Sequence, residues 1–390
     1  MSTDVVVLGS GYAGAGAVKS LQSSLADDAQ LTWVSDTDYH LVLHEVHRVV
    51  RDPAVQTDVT VPIGSIANDR TTFVHDRVVD IDTDERLIEL DDGEDISYDY
   101  VLVALGSKTA FYGIPGLDEH SLTLKGLDDA LSIHEAISDA GERATRSEPA
   151  QVVVGGAGLS GIQTAGEIAE FRDEHRVPLD IHLVEAMEEI FPGNDPEIQK
   201  ALRERLEDVN VTIHTDDPIT EANADDIHFD EGDPLAHDVL IWTGGITGQD
   251  ALDGTSLDNQ HNRIEAESTF QTSDERVFAI GDSAIIDQEG ERPAPPTAQA
   301  AWQAAEVVGT NIVRAIEGNP LETWTYENKG TVVSVGDRAV AHDVRPAFGI
   351  GLPVTTFGGI PAKNLKKMIA ARWIADLTGW NDARKRWSSL

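Results

Sequence analysis

Residues 5–14, Val5-Val6-Val7-Leu8-Gly9-Ser10-Gly11-Tyr12-Ala13-Gly14, decide how the rest of the chain is read. Four apolar residues run into GxGxxG, and a helical stretch and a second apolar run, Leu31-Thr32-Trp33-Val34, follow. Between a buried strand and a helix each glycine has a mechanical role. Gly9 permits the tight turn, Gly11 lets the backbone approach a pyrophosphate, and Gly14 lets helix and strand pack closely. The free N–H groups at the helix start then face the anion. A carboxylate near the end of the second strand should take the ribose hydroxyls. Here Ser35 holds the strand-end place and Asp36 follows it, a slight departure. The plainer reading of one such motif is a tight turn with no ligand.

The motif recurs. Residues 152–161, VVVGGAGLSG, place Gly156, Gly158 and Gly161 in the same spacing, 156 − 9 = 147 residues further on. The next strand, IHLVE at 181–185, ends in Glu185. That carboxylate would hold both ribose hydroxyls and repel a 2′-phosphate, which favours NADH over NADPH. Two dinucleotide sites in one chain imply a flavin, FAD, meeting a nicotinamide for hydride transfer. Supporting strands stand where such a fold needs them. YVLVALG at 100–106 and VLIWTGG at 239–245 are buried strands ending in small residues, with Ala104, Gly106 and Gly244 placed near the cofactors. VFAIGD at 277–282 ends in Gly281 and Asp282. Asp282 either bonds a flavin ribityl chain or caps a helix.

Composition bounds the alternatives. A chain of 390 residues is long enough for two or three domains. It has no cysteine, which removes disulfides, thiolate metal sites and any cysteine redox relay. The N-terminus has no signal-peptide pattern, and no apolar run reaches the ~18 residues that cross a bilayer as a helix. The net charge of −40 disfavours a nucleic-acid partner. Lysine is scarce, nine against twenty arginines, and the carboxylated surface suits concentrated salt, where the screening length falls to about 3 Å at 1 M. Residues 363–390 reverse the sign, with seven basic against two acidic residues, so the first 362 carry 22 − 67 = −45. His40, His44 and His47 are read as a polar helix face, and no metal is expected.

The stretch PPTAQAAWQ at 295–303 starts a helix with prolines and sets Gln299 and Gln303 on one face, behind Ala298. Solvated glutamines are the plain reading. Residues 361–390 carry Leu365, Met368, Ile369, Trp373, Leu377 and Trp380 broadly on one helical side, interrupted by Asp376. With its lysines that helix suits a membrane interface, and the alternative is docking on its own domain or on a second subunit.

Together the segment LGSKTAFYGIPGLDEHSLTLKGLDDAL, the second glycine motif, VFAIGDSA, PPTAQAAWQ and YENKGT at 326–331 resemble the two-dinucleotide-binding-domain flavoproteins. Within them the chain is similar to the type II NADH dehydrogenases, the non-pumping NADH:quinone oxidoreductases. The resemblance implies an α/β fold with two Rossmann-like domains and a C-terminal membrane-facing segment. It implies an FAD domain over 1–125 and 250–325, an NADH domain over 126–249, and a quinone-site and membrane segment over 326–390. It implies that Gln299 and Gln303 face the quinone, menaquinone in kind, and that Lys329 lies near the flavin ring. Gln163 stands where the family often has Glu, so a proton-relay role there is absent or passes to Glu167. The enzyme would sit peripherally on the cytoplasmic face of the membrane, and a homodimer is compatible. A reductase of a soluble electron carrier, a nucleotide-sensing flavoprotein without turnover and a flavoenzyme using another donor are the rival readings.

Overall fold

The computed structural model describes residues 2–345 and 355–387. Residues 346–354 and 388–390 of the expected C-terminal segment therefore lie outside the described residues. The chain opens with β1 (Thr3–Leu8), α1 (Tyr12–Ser24), β2 (Ala29–Ser35), α2 (His47–Arg51), β3 (Thr71–His75) and β4 (Tyr100–Val103). A second set follows: α3 (Leu127–Arg143), β5 (Ala150–Gly155), α4 (Leu159–His175), β6 (Leu179–Val184), α5 (Pro196–Asp208), β7 (Val211–His214) and β8 (Val239–Trp242). The chain then returns through β9 (Val277–Ala279) and α6 (Ala298–Ile316). It ends with β10 (Thr331–Val335), β11 (Arg338–His342), β12 (Thr356–Gly358), α7 (Ile360–Thr378) and α8 (Trp380–Arg386).

The first sheet has the order β9-β4-β1-β2-β3 and the second β7-β6-β5-β8, every pairing parallel. Parallel strands covered on both faces read as unbroken apolar runs, which is why VVVL and VVV stand before the glycines. Those residues are fully buried. The duplication extends beyond the glycines. Each sheet interposes a small three-stranded antiparallel meander between its third and fourth chain-order strands, at 78–97 and 219–236. Strand β9 completes the first sheet only after the second has been built, so the first unit is discontinuous.

Two crossings join the units. Lys108–Thr109 pairs antiparallel with Ile246–Thr247, and Leu122 exchanges backbone bonds with Leu240 and Trp242 at 2.8 and 2.7 Å. A third, antiparallel sheet, β10-β11-β12, supports α7. Ala362, Lys366, Ala370, Trp373 and Leu377 form the buried stripe of that helix. The expected single apolar side is thus divided. Trp373 and Leu377 belong to the protein core, whereas Met368, Ile369 and Trp380 stay exposed. Trp373 packs against Tyr12 and Gly16 of α1, so burial in the protein takes the area that a membrane-facing reading gave to lipid.

Candidate active site

Each glycine turn is shaped by contacts that only glycine allows. A Cβ on Gly14 would lie 1.9 Å from the Gly9 carbonyl oxygen, and one on Gly161 would lie 1.9 Å from that of Gly156. Gly9 presses on the Ala104 carbonyl, and Gly156 on the Gly244 backbone, so both strand-end residues wall the turns. Gly11 and Gly158 differ from the rest. Neither has any atom within 4 Å of where a Cβ would stand, and each opens a helix that has no side-chain cap. An open cradle beside uncapped N–H groups fits a pyrophosphate.

The strand ends differ. Glu185 is buried, and its carboxylate accepts the N–H groups of Ala157 and Met187 at 2.8 and 3.1 Å. At the first turn Ser35 is also buried, but its hydroxyl donates to Ser10 at 2.9 Å, and Asp36 is exposed with no side-chain bond among the described residues. Gly281 stands against Ala13 of α1, and Gly106, with φ 72°, leaves open space. Asp282 accepts Ser107 Oγ at 3.2 Å, which is not a helix cap.

The C-terminal helix roofs the first turn. Trp373 stacks on Tyr12 with ring centroids 4.6 Å apart, and its indole N–H donates to His40 Nε2 at 2.8 Å. His40 therefore keeps its proton on Nδ1 and donates it to the Ser10 carbonyl at 2.7 Å. Tyr12 reaches His44 Nδ1 through its hydroxyl. Burial holds His40 and His44 down to about 4. The expectation of a polar helix face for His40, His44 and His47 is corrected here. They lie on a strand, a 3-10 turn and α2; the C-terminal helix supplies partners for His40 and His47, through Trp373 and Lys366, and α1 supplies one for His44, through Tyr12.

Gln299 and Gln303 share a face of α6, as their spacing requires, and that face meets residues 326–330. Gln299 Oε1 accepts the Lys329 N–H at 2.8 Å and the Tyr326 hydroxyl at 3.0 Å, while its Nε2 donates to the Gly330 carbonyl at 3.1 Å. Gln303 bonds both the N–H and the carbonyl of Glu327, at 3.2 and 3.0 Å. Solvated glutamines are excluded, since both amides clamp this segment. Ala298 begins the helix, half-buried, and the Lys329 ammonium is exposed.

Gln163 lies in a buried polar cluster that sequence reasoning missed. Its amide donates to Ser334 Oγ at 3.0 Å, and Lys366 Nζ donates to the same oxygen at 2.7 Å. His47 Nε2 lies 3.0 Å from both Ser334 Oγ and Lys366 Nζ. Burial, then the Lys366 charge, holds His47 well below its ordinary value. One turn along α4, burial pushes Glu167 up to about 7 although Arg51 stands 3.1 Å away. A signal was present. Lys366 interrupts the apolar stripe 362, 370, 373, 377, and a lysine on a docking stripe implies a buried partner.

The model for pyridine nucleotide-disulphide oxidoreductases matches residues 3–305. The chain belongs to that family. Among its relatives, the type II NADH:quinone oxidoreductases of Staphylococcus saprophyticus and Staphylococcus aureus are each 29% identical, over 98% of both chains. Similar solved structures include NDH2 of Plasmodium falciparum with NADH, at TM-score 0.85 and 16% identity over 100% of this chain and 97% of that one. The sulfide:quinone oxidoreductase of Aquifex aeolicus matches at TM-score 0.80 and 19% identity over 98% and 93%. At those identities the structures share the fold. This member of the pyridine nucleotide-disulphide oxidoreductases carries no cysteine, so the dithiol chemistry in the family's name has no group to run on.

Proposed function

We propose that the chain is an NADH:quinone oxidoreductase, taking NADH, a proton and a quinone to NAD and quinol. One observation carries this reading: a single chain holds two open glycine cradles, the second ending in the buried carboxylate of Glu185. FAD, when bound, supplies two-electron chemistry between a hydride donor and a quinone. The protein's own share is orientation. Gly9, Gly11, Gly14 and Asp282 would hold the flavin nucleotide, and Gly156, Gly158, Gly161 and Glu185 the nicotinamide nucleotide. Gln299 and Gln303 fix the segment bearing Lys329, and the second N–H of the Gln299 amide would donate to a quinone carbonyl.

Attachment to a membrane surface rests on Ile360, Met368, Ile369, Trp380 and Trp387, all exposed on α7 or just beyond it, beside Lys363 and Lys367. Among the described residues no helix is long and apolar enough to cross a membrane. A lipid-soluble menaquinone reached from the cytoplasmic face is the acceptor this surface suits, and a homodimer and a saline working medium complete the proposal. The test is anaerobic. NADH should bleach the flavin band and a short-chain quinone should restore it. Bleaching without restoration removes the quinone assignment.

A further inference from the structure

The chain carries 69 acidic against 29 basic residues, yet the pocket richest in cations reverses that sign. It opens between α2, α4, the β10–β11 turn and the first turns of α7, with a volume of about 160 Å³. Arg48, Arg51, Arg338, Lys363, Lys366 and Lys367 line it. Three carboxylates oppose these six cations, a local balance of 6 − 3 = +3.

The carboxylates are already engaged. Glu45 faces Lys366 at 3.4 Å and Arg48 at 3.6 Å, and Glu167 faces Arg51 at 3.1 Å. Asp337 takes Lys363 at 2.9 Å and Arg51 at 3.2 Å. Arg338 reaches outward to Asp208 at 3.5 Å. Lys367 makes no hydrogen bond or ion pair among the described residues. Burial, with Lys363 and Arg48 beside it, holds its ammonium below the ordinary value. Like charges gathered around a recess repel one another, and an anion in the recess relieves that repulsion. Guanidinium and ammonium groups converging from several elements are the donors that phosphate oxygens take.

We propose that this pocket binds a phosphate group belonging to neither nucleotide. Its volume of about 160 Å³ admits a phosphate with a little water. Pockets that enclose a larger organic ligand run to about 300–1,000 Å³, so a dinucleotide does not fit. The pocket also lies off the start of α4, where Gly158 would take a pyrophosphate. Met368 and Ile369, exposed on α7 next to Lys367, put a lipid headgroup within reach, and a free phosphate has the same chemistry.

Two arms separate the sources. The FAD-loaded protein is titrated calorimetrically with inorganic phosphate at ionic strength fixed by KCl, and sedimented with vesicles of phosphatidylglycerol in phosphatidylcholine. The double variant Lys363→Gln/Lys367→Gln should bind at least about tenfold more weakly. Arg384→Gln/Lys385→Gln removes the same charge from α8 and should bind as wild type does. Retained flavin absorbance and an unchanged melting curve show that each variant is folded. Phosphate binding alone assigns a free anion, vesicle binding alone a headgroup, and either supports the site. Binding in neither arm overturns the proposal. So does equal weakening in the two double variants.

Discussion

At both turns the first glycine is left-handed, with φ of 101° at Gly9 and 91° at Gly156, and the third lies against the first's carbonyl. What surrounds them is not alike. The first turn ends in a hydroxyl relay, Ser35 to Ser10, and is roofed by Tyr12, His40 and Trp373. The second ends in a carboxylate, and its helix runs on into the cluster of Gln163, His47, Ser334 and Lys366. The turn itself is a stock part. Its surroundings fit a resident cofactor under a lid in the first case and an exchanging one beside an unroofed turn and its strand-end carboxylate in the second.

Removing the lid should have the greatest consequence. Trp373→Ala deletes a side chain only 2% exposed, and should cost about 3–5 kcal/mol in denaturant unfolding and release the flavin. A loss below about 1 kcal/mol, with flavin retained, would separate the roof from the cofactor.

Proton titration should pull the two regions in opposite directions. His40 and His44 have folded values near 4 against 6.5 unfolded, so the stability they contribute is present above pH 6.5 and lost as pH falls toward 4. At ~1.4 kcal/mol per unit this is about 3 kcal/mol for each group. Glu167 has the opposite sign. Its folded value near 7 exceeds 4.5, so stability is greatest below pH 4.5 and declines as pH rises to about 7. Chemical unfolding of Glu167→Gln across pH 4.5–7 should lack that decline, while the loss of stability below pH 6.5 that His40 and His44 cause persists. A variant with the wild-type slope would show that Glu167 ionises normally.

Exchanging the strand ends is a smaller step. Glu185→Ser copies the first turn's residue into the second, and should raise KM for NADH about 10- to 100-fold with flavin content unchanged. The preference for NADH over NADPH should narrow in the same assays. Gln303→Ala should do least. Losing two bonds to Glu327 should slow flavin reoxidation by quinone up to about tenfold and leave bleaching by NADH alone. Equal slowing of both phases would place Gln303 outside the acceptor side.

Both glycine turns and the strands that feed them were legible because buried parallel strands write themselves as apolar runs and the first and third positions of each turn admit only glycine. The face shared by Gln299 and Gln303 was legible from helical spacing, but its partner was not. Residues 326–330 are more than twenty positions away, and no local pattern announces a long-range amide clamp. The histidines misled for the same reason. Spacing of three and four suggests a helix, whereas β10 and α7, about three hundred residues on, determine where His40 and His47 point. Trp373 read as an interface residue because hydrophobicity alone cannot tell lipid from protein core.

The difference between the turns is open to one paired experiment. In the structure a Cβ at Gly11 or Gly158 meets nothing within 4 Å, so Gly11→Val and Gly158→Val should fold and obstruct only a ligand. Flavin content and anaerobic bleaching by NADH are measured on both. Gly11→Val should purify without flavin. Gly158→Val should purify with full flavin that NADH bleaches about 100-fold more slowly, a loss of roughly 2.7 kcal/mol. Full flavin in Gly11→Val, or normal bleaching in Gly158→Val, would contradict the division of labour between the two turns.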